Sequence, residues 1–281
     1  MMCRDVDVVK QVLTSKQSFV KDTNVWSNSS LNALFSGPRW TEVANLVQPF
    51  VGETLFTTDG ESWKVQRSAI NCLFSSKFVC QLEQKLSEFS FNIVDRWAKD
   101  IATSSQDVVV RDILPDVHDM TLDAIISVVV GCSRKELDEI KPRWGQRLFS
   151  TFRKSLSAFV QKYQEPVWKT TLVPYEYDSS VSSHMKDMVA IILETVEEKV
   201  NRELLGMDMI SILLNVGMPV ETVVHTAVNA IIAGAESNAA GVAFALRCMA
   251  ENPSIMKRAI GEVDEVLGQA SPNAEDLKKL T

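Results

Sequence analysis

Thr222 to Leu246 reads TVVHTAVNAIIAGAESNAAGVAFAL, and Glu236 is its only formally charged residue. Such a composition predicts a long helix buried on nearly every side. Polar residues at Thr222, His225, Thr226, Asn229, Glu236, Ser237 and Asn238 interrupt the apolar run, well short of the roughly 18 residues that a membrane span needs. The stretch is therefore read as the central helix of a mainly α domain.

The residues three and four positions from Glu236 are Ile232, Ala233, Ala239 and Ala240, none of them basic, so the usual i,i+4 ion pair is absent. A carboxylate there needs water, a hydroxyl or a ligand. Ser237 looks onto Ala233, Gly234, Ala240 and Gly241, a face almost without side chains, although each mid-helix glycine costs about 1 kcal/mol relative to alanine. The Ser237 hydroxyl is also placed to bond the Ala233 carbonyl one turn back, which bends a helix and opens a groove beside the acid. Two readings stay open. Either a wide, flat ligand lies against this face, or a second helix packs closely on Ala233, Ser237 and Gly241 and Glu236 is merely hydrated.

Ala233-Gly234-Ala235-Glu236-Ser237 resembles the oxygen-activating motif of cytochrome P450 monooxygenases: Ala or Gly, then Gly, any residue, an acid, and Thr or Ser. The following CMAENPSIMKRAIGEVDEVLG, Cys248 to Gly268, resembles the next helix of that family, with Asn252-Pro253 opening it. Upstream, Leu55 to Phe78 contains a turn at Asp59-Gly60, Glu61 in a first helical turn, and Trp63 and Arg67 on one face at i,i+4. An indole donor and a forked guanidinium suit a carboxylate clamp; the plain alternative is a Trp stacked on an Arg at the surface. The run D-G-x-x-W-x-x-x-R ending in Leu73-Phe74-Ser75 resembles the family's helix that binds a haem propionate.

The 281 residues, 46% hydrophobic, suffice for a sizeable core. A net charge of −7 with no Lys/Arg-rich block argues against a nucleic-acid partner. Five scattered cysteines without a C-x-x-C pair and three distant histidines give no zinc spacing and point to reduced thiols. The opening MMCRDVDVVK carries acids and no apolar core, so neither a signal peptide nor an anchor is expected there, and no segment of the chain is expected to enter a bilayer.

Apolar spacing predicts helices over Val6–Phe19, Phe78–Ala102 and Asp116–Gly131, the last with a glycine stop, and a short β-like run at Val108–Val110. The aromatics Phe149, Phe152, Phe159, Tyr163 and Trp168 are read as core or as a pocket roof. Pro174–Ser183 reads as a loop or linker. Met185–Leu205 reads as an amphipathic helix with a solvated face, on which Glu194 and Glu198 are set to pair with the downstream Arg202. Asp208 to Leu214 resembles the family segment leading into the central helix, and Trp26 to Phe56 would lie over the distal side of the pocket.

The resemblance implies one incomplete cytochrome P450-like domain over 1–281, mainly α with little or no sheet. It would have a haem-propionate helix near 59–78 and an oxygen-activating helix near 221–250. It further implies haem and O2 as cofactors, electrons from NAD(P)H through a reductase or ferredoxin, and a small organic substrate. Glu236 would feed protons and Ser237 would hold water, Ala233 and Gly234 would face the haem, and Trp63 and Arg67 would anchor it. The two motifs together predict an interior cavity lined by Glu236 and Ser237 and faced by Trp63 and Arg67. Ser237 in place of the commoner Thr keeps the hydroxyl and loses the methyl that fixes its rotamer. No E-x-x-R occurs, and no cysteine stands in the family's F-x-x-G-x-R-x-C-x-G ligand loop. The chain as given is therefore expected not to oxygenate substrates, and the polar tail to Thr281 reads as the approach to a further helix that continued sequence would supply. An intracellular protein is expected, with membrane association of a full-length form at the endoplasmic reticulum or an organelle left open. The rival readings are a non-catalytic truncated isoform or helical binding module, and a helical scaffold of unrelated ancestry.

Overall fold

The computed structural model describes residues 52, 54, 55, 58, 60–105, 110–164, 175–268, 270 and 272–280. The expected helix at Val6–Phe19 and nearly all of Trp26 to Phe56 lie outside them. The described chain forms α1 (Gly60–Ile70), a 3-10 turn (Asn71–Phe74), α2 (Ser76–Thr103), α3 (Leu114–Val130), α4 (Arg134–Ile140) and α5 (Trp144–Gln164). It continues as α6 (Tyr175–Asn201), α7 (Met209–Asn215), α8 (Val220–Glu251), α9 (Pro253–Leu267) and the short α10 (Ala274–Leu277). No strand occurs among the described residues, in keeping with a mainly α fold. Val110 is 93% exposed and belongs to no strand; Val108 and Val109 lie outside the described residues.

α8 is the axis. Its N-terminal half is buried as its composition requires, with Val223, Val224, Ala227, Val228 and Ile231 at or near zero exposure. They face α3, α6 and α7, which pack on α8. Its C-terminal half departs from the expected all-round burial. Ala233, Ser237, Gly241 and Phe244 are exposed, because among the described residues nothing covers that side. The opposite side, Ala235 and Ala239, is buried against α3, which runs along α8 with its direction reversed.

The helix boundaries follow from local chemistry. Ser75 caps α2 by accepting from the Phe78 amide at 3.3 Å, Pro115 sits in the first turn of α3, and Gly131 ends α3 at φ +87, a left-handed geometry natural to glycine. Ser133 and Glu136 close a capping box on α4. Of the aromatic series on α5, Phe149 and Phe152 are core residues, joining Leu148, Met185, Met188 and Ile192.

Two expectations are corrected. Tyr175 to Ser183 is helical, the first part of α6, and not a loop; the same helix continues into the buried Met185, Met188 and Ile192. The face of α6 bearing Glu194 and Glu198 is an inter-helix contact as well as a wetted one. Glu194 binds Lys141 at 2.6 Å and Arg147 at 3.2 Å, and Glu198 binds Arg202 at 2.7 Å and Lys141 at 3.3 Å.

A buried pin joins three elements at one end of the bundle. Lys199 of α6 and Asp208, the cap of α7, are each 3% exposed and 3.0 Å apart. The same ammonium donates to the Val130 carbonyl at the end of α3, at 2.7 Å. Asp208 also accepts from the Ser211 amide at 3.0 Å and from its hydroxyl at 2.7 Å, so both charges are hydrogen-bonded, the condition under which a buried pair persists.

Candidate functional site

Three successive carbonyls of α8 receive side-chain donors. Ser237 Oγ donates to Ala233 O at 2.6 Å, as its position predicts, and Asn238 Nδ2 donates to Gly234 O at 2.7 Å. Thr121 Oγ1 of α3 donates to Ala235 O at 3.0 Å in a buried contact. α8 runs unbroken through this stretch. Its small residues serve two purposes. A Cβ at Gly234 would come within 2.7 Å of the Ile125 side chain, so this glycine admits α3, whereas a Cβ at Gly241 would meet nothing within 4 Å. Helix packing therefore accounts for Gly234, and a flat face at Ala233, Ser237 and Gly241 remains uncovered among the described residues.

Glu236 stands at the edge of that face. Its Oε2 lies 3.5 Å from Nε2 of His118 on α3, both side chains being a little over one-third exposed. Both line a cavity of about 720 Å3, with Asp119, Arg153, Phe244 and Arg247 also on its walls. Of the four residues expected around one cavity, Glu236 lines this one. Ser237 lies on the neighbouring open face. Trp63 and Arg67 are half-buried on α1, which packs chiefly on α7, and the Arg67 guanidinium lies 4.9 Å over the Phe74 ring. Stacking of Arg67 thus occurs, with Phe74 as the aromatic partner.

Local spacing in the sequence did not reveal His118 or Thr121, because both act across helices. A hint was present: Thr121 belongs to the apolar-spaced stretch that packs on α8, and His118 stands one turn before it. Nearby, Asp116 is held below the usual carboxylate range by the Arg111 hydrogen bond, with Trp97 and Arg96 adding to it. Asp123 is pushed up to about 6 by burial, with Arg134 opposing the shift. Among the described residues, no group of three or more His, Cys, Asp or Glu side chains is arranged to hold a metal ion.

Residues 7–281 match the family model of Cytochrome P450. The chain is 20% identical to Cytochrome P450 716A67 of Medicago truncatula, over 98% of this chain and 57% of that protein. It is 25% identical to chloroplastic Cytochrome P450 97B1 of Pisum sativum, over 85% of this chain and 47% of that protein. Among solved structures, the cytochrome P450DA heme domain superposes with a TM-score of 0.66 at 20% identity, covering 84% of this chain and 51% of that one. Retinoic acid-bound cyanobacterial CYP120A1 superposes at 0.64 and 16% identity, covering 84% and 50%. The fold is that of a helical haem-protein class, with α8 as its long central helix. The chain belongs to the cytochrome P450 family. It spans about half the length of the curated relatives it matches.

Proposed function

We propose that this chain carries the oxygen-side half of a haem monooxygenase site, in which α8 presents Ala233, Glu236 and Ser237 to one side of the haem, whereas Gly234, expected there as well, is taken up by its packing on Ile125 of α3. The observation that carries the reading is the uncovered face at Ala233, Ser237 and Gly241 with a carboxylate at its edge. A flat macrocycle fits a helix face without large side chains, and no Cβ crowding occurs at Gly241. Haem, when bound, supplies the activation of O2 for insertion of one oxygen atom into a small organic substrate. Electrons would come from NAD(P)H through a reductase or ferredoxin.

This chain's own residues would bind and orient. The Ser237 hydroxyl, anchored on the Ala233 carbonyl at 2.6 Å, has lone pairs left to accept from a water on the open face. Glu236 would hold a proton at its carboxylate beside that water. Arg67, and Trp63 one turn before it, would clamp a propionate, the guanidinium exchanging its stacking on Phe74 for a charge-assisted bond. No cysteine of the chain stands in the ligand-loop pattern, so in this reading the axial thiolate comes from outside these residues.

Titration of the chain with haem tests the reading. A Soret band should grow on binding, and Arg67→Ala should weaken uptake about tenfold, equivalent to about 1.4 kcal/mol. A titration indistinguishable from that of a helical protein lacking the two motifs would defeat it. A helical binding module is the second reading, favoured by the apolar stripe Ile255, Met256, Ile260 and Val263, 41–52% exposed along α9. It gains if the chain unfolds cooperatively without haem and takes up none.

A further inference from the structure

The cavity between α3, α5 and the C-terminal half of α8 brings one imidazole to the acid of the central helix. Besides Ile125, which packs on Gly234, α3 meets the motif through the turn from His118 to Thr121. Thr121 Oγ1, placed over the His118 carbonyl at 3.2 Å, donates to Ala235 O at 3.0 Å, and one turn back His118 Nε2 reaches Glu236 Oε2 at 3.5 Å. The buried hydroxyl contact anchors this turn of α3 on α8.

Of the other charges on these walls, Asp112 accepts from the Leu114 amide at 3.1 Å. Asp119 pairs with Arg153 at 3.7 Å and Arg247 with Glu251 at 2.9 Å. Glu236 forms no other ion pair among the described residues. The cavity, at about 720 Å3, has room for many waters, since each occupies about 30 Å3 of liquid. An acid, an imidazole and a water reservoir are thus contiguous, and the acid borders the face where the haem is proposed to lie.

We infer that His118 is a positioning and proton-relay residue for Glu236. This inference rests on the haem reading above. In the step, Nδ1 accepts a proton that bulk solvent delivers along cavity water while the Nε2 proton passes to Glu236 Oε2, leaving the ring in its other tautomer. Exchange with solvent then restores the Nε2–H form. Glu236 then holds the proton at the edge of the open face, next to Ser237. Histidine suits the place because its two nitrogens can give and receive at once.

The test follows the Glu236 carboxyl carbon by NMR in the 281-residue chain, labelled with carbon-13 at glutamate. His118→Phe fills the ring's volume and donates no hydrogen bond, whereas His118→Gln restores a donor. The Glu236 resonance should move in His118→Phe and return at least halfway in His118→Gln, a pattern that a packing role would not produce. The reciprocal variant, Glu236→Ala, should move the His118 ring nitrogens and accelerate exchange of the ring N–H with water. With only three histidines in the chain, replacing His184 and His225 in turn assigns the signals. If His118→Phe fails to fold, Glu236→Ala decides. A Glu236 resonance unmoved by His118→Phe, or His118 nitrogens unmoved in Glu236→Ala, overturns the inference. Haem titration of the wild-type chain runs alongside. Uptake of haem without this coupling overturns the role of His118 alone. Coupling without uptake overturns the haem reading and, with it, the proton relay.

Discussion

Lys199 and Asp208 show how much a single buried contact carries. Asp208→Ala would leave the ammonium at 3% exposure facing only the Val130 carbonyl, and stranding one member of a buried pair costs about 3–5 kcal/mol. Urea unfolding of the variant should show that loss, and a midpoint near wild type would mean that water reaches the site. Asp123 gives a prediction with a pH sign. Its carboxyl is raised to about 6 in the folded chain against about 3.9 unfolded, so the folded state binds the proton more tightly. This group's stabilising share is full below about pH 4, falls as pH rises, and is gone above about pH 6. Asp123→Asn imitates the protonated form, so its stability relative to wild type should improve between pH 4 and pH 7. A difference flat across that range would show that Arg134, 3.0 Å away, compensates fully. Glu236 and Ser237 were legible because a lone acid and a hydroxyl in an apolar helix are local anomalies. His118 and Thr121 were not, because contacts between helices leave no trace in the spacing of either one.

At the scale of elements, apolar spacing located α2 and α3 closely, composition located α8, and the family resemblance of Cys248 to Gly268, opened by Asn252-Pro253, located α9. The polar opening of α6 escaped because a run such as Tyr-Asp-Ser-Ser carries turn chemistry and no apolar spacing. The two glycines of α8 separate packing from ligand space. Gly234→Ala would press a methyl within 2.7 Å of Ile125, an overpacking cost of about 1–3 kcal/mol that exceeds or cancels the helical gain. Gly241→Ala meets nothing and should stabilise the chain by about 1 kcal/mol through propensity alone. Paired thermal melts check the contrast. If the proposed haem face is right, Gly241→Ala should also weaken haem uptake, so one substitution raises stability and lowers binding.

The whole molecule is a helical bundle with one side of its axis uncovered among the described residues. Composition conveyed a chain able to bury a sizeable core, helical spacing conveyed its α class, and the order of motifs conveyed its family; which surfaces stay open was not legible, since exposure depends on what else packs there. Among the described residues no helix is long and apolar enough to cross a membrane. Exposed Phe244 on α8 and the stripe on α9 predict that adding haem narrows binding of a hydrophobic dye at α8 while leaving that at α9. A dye signal unchanged by haem would mean that haem does not lie along Phe244.

The Lys199–Asp208 pin also has a mechanical meaning. It clasps the far end of α3 and the start of α7, and α7 leads directly into α8. Because α3 and α8 run in opposite directions, the His118–Glu236 cavity lies at the end away from the clasp. At that end α3 and α8 meet over the small cluster of Ile93, Val117 and Ala239, beside the exposed side of α8 at Ser237, Gly241 and Phe244. Amides of 236–247 should therefore exchange with deuterium well before those of 223–231, and equal rates would mean that the small cluster holds as firmly as the clasp.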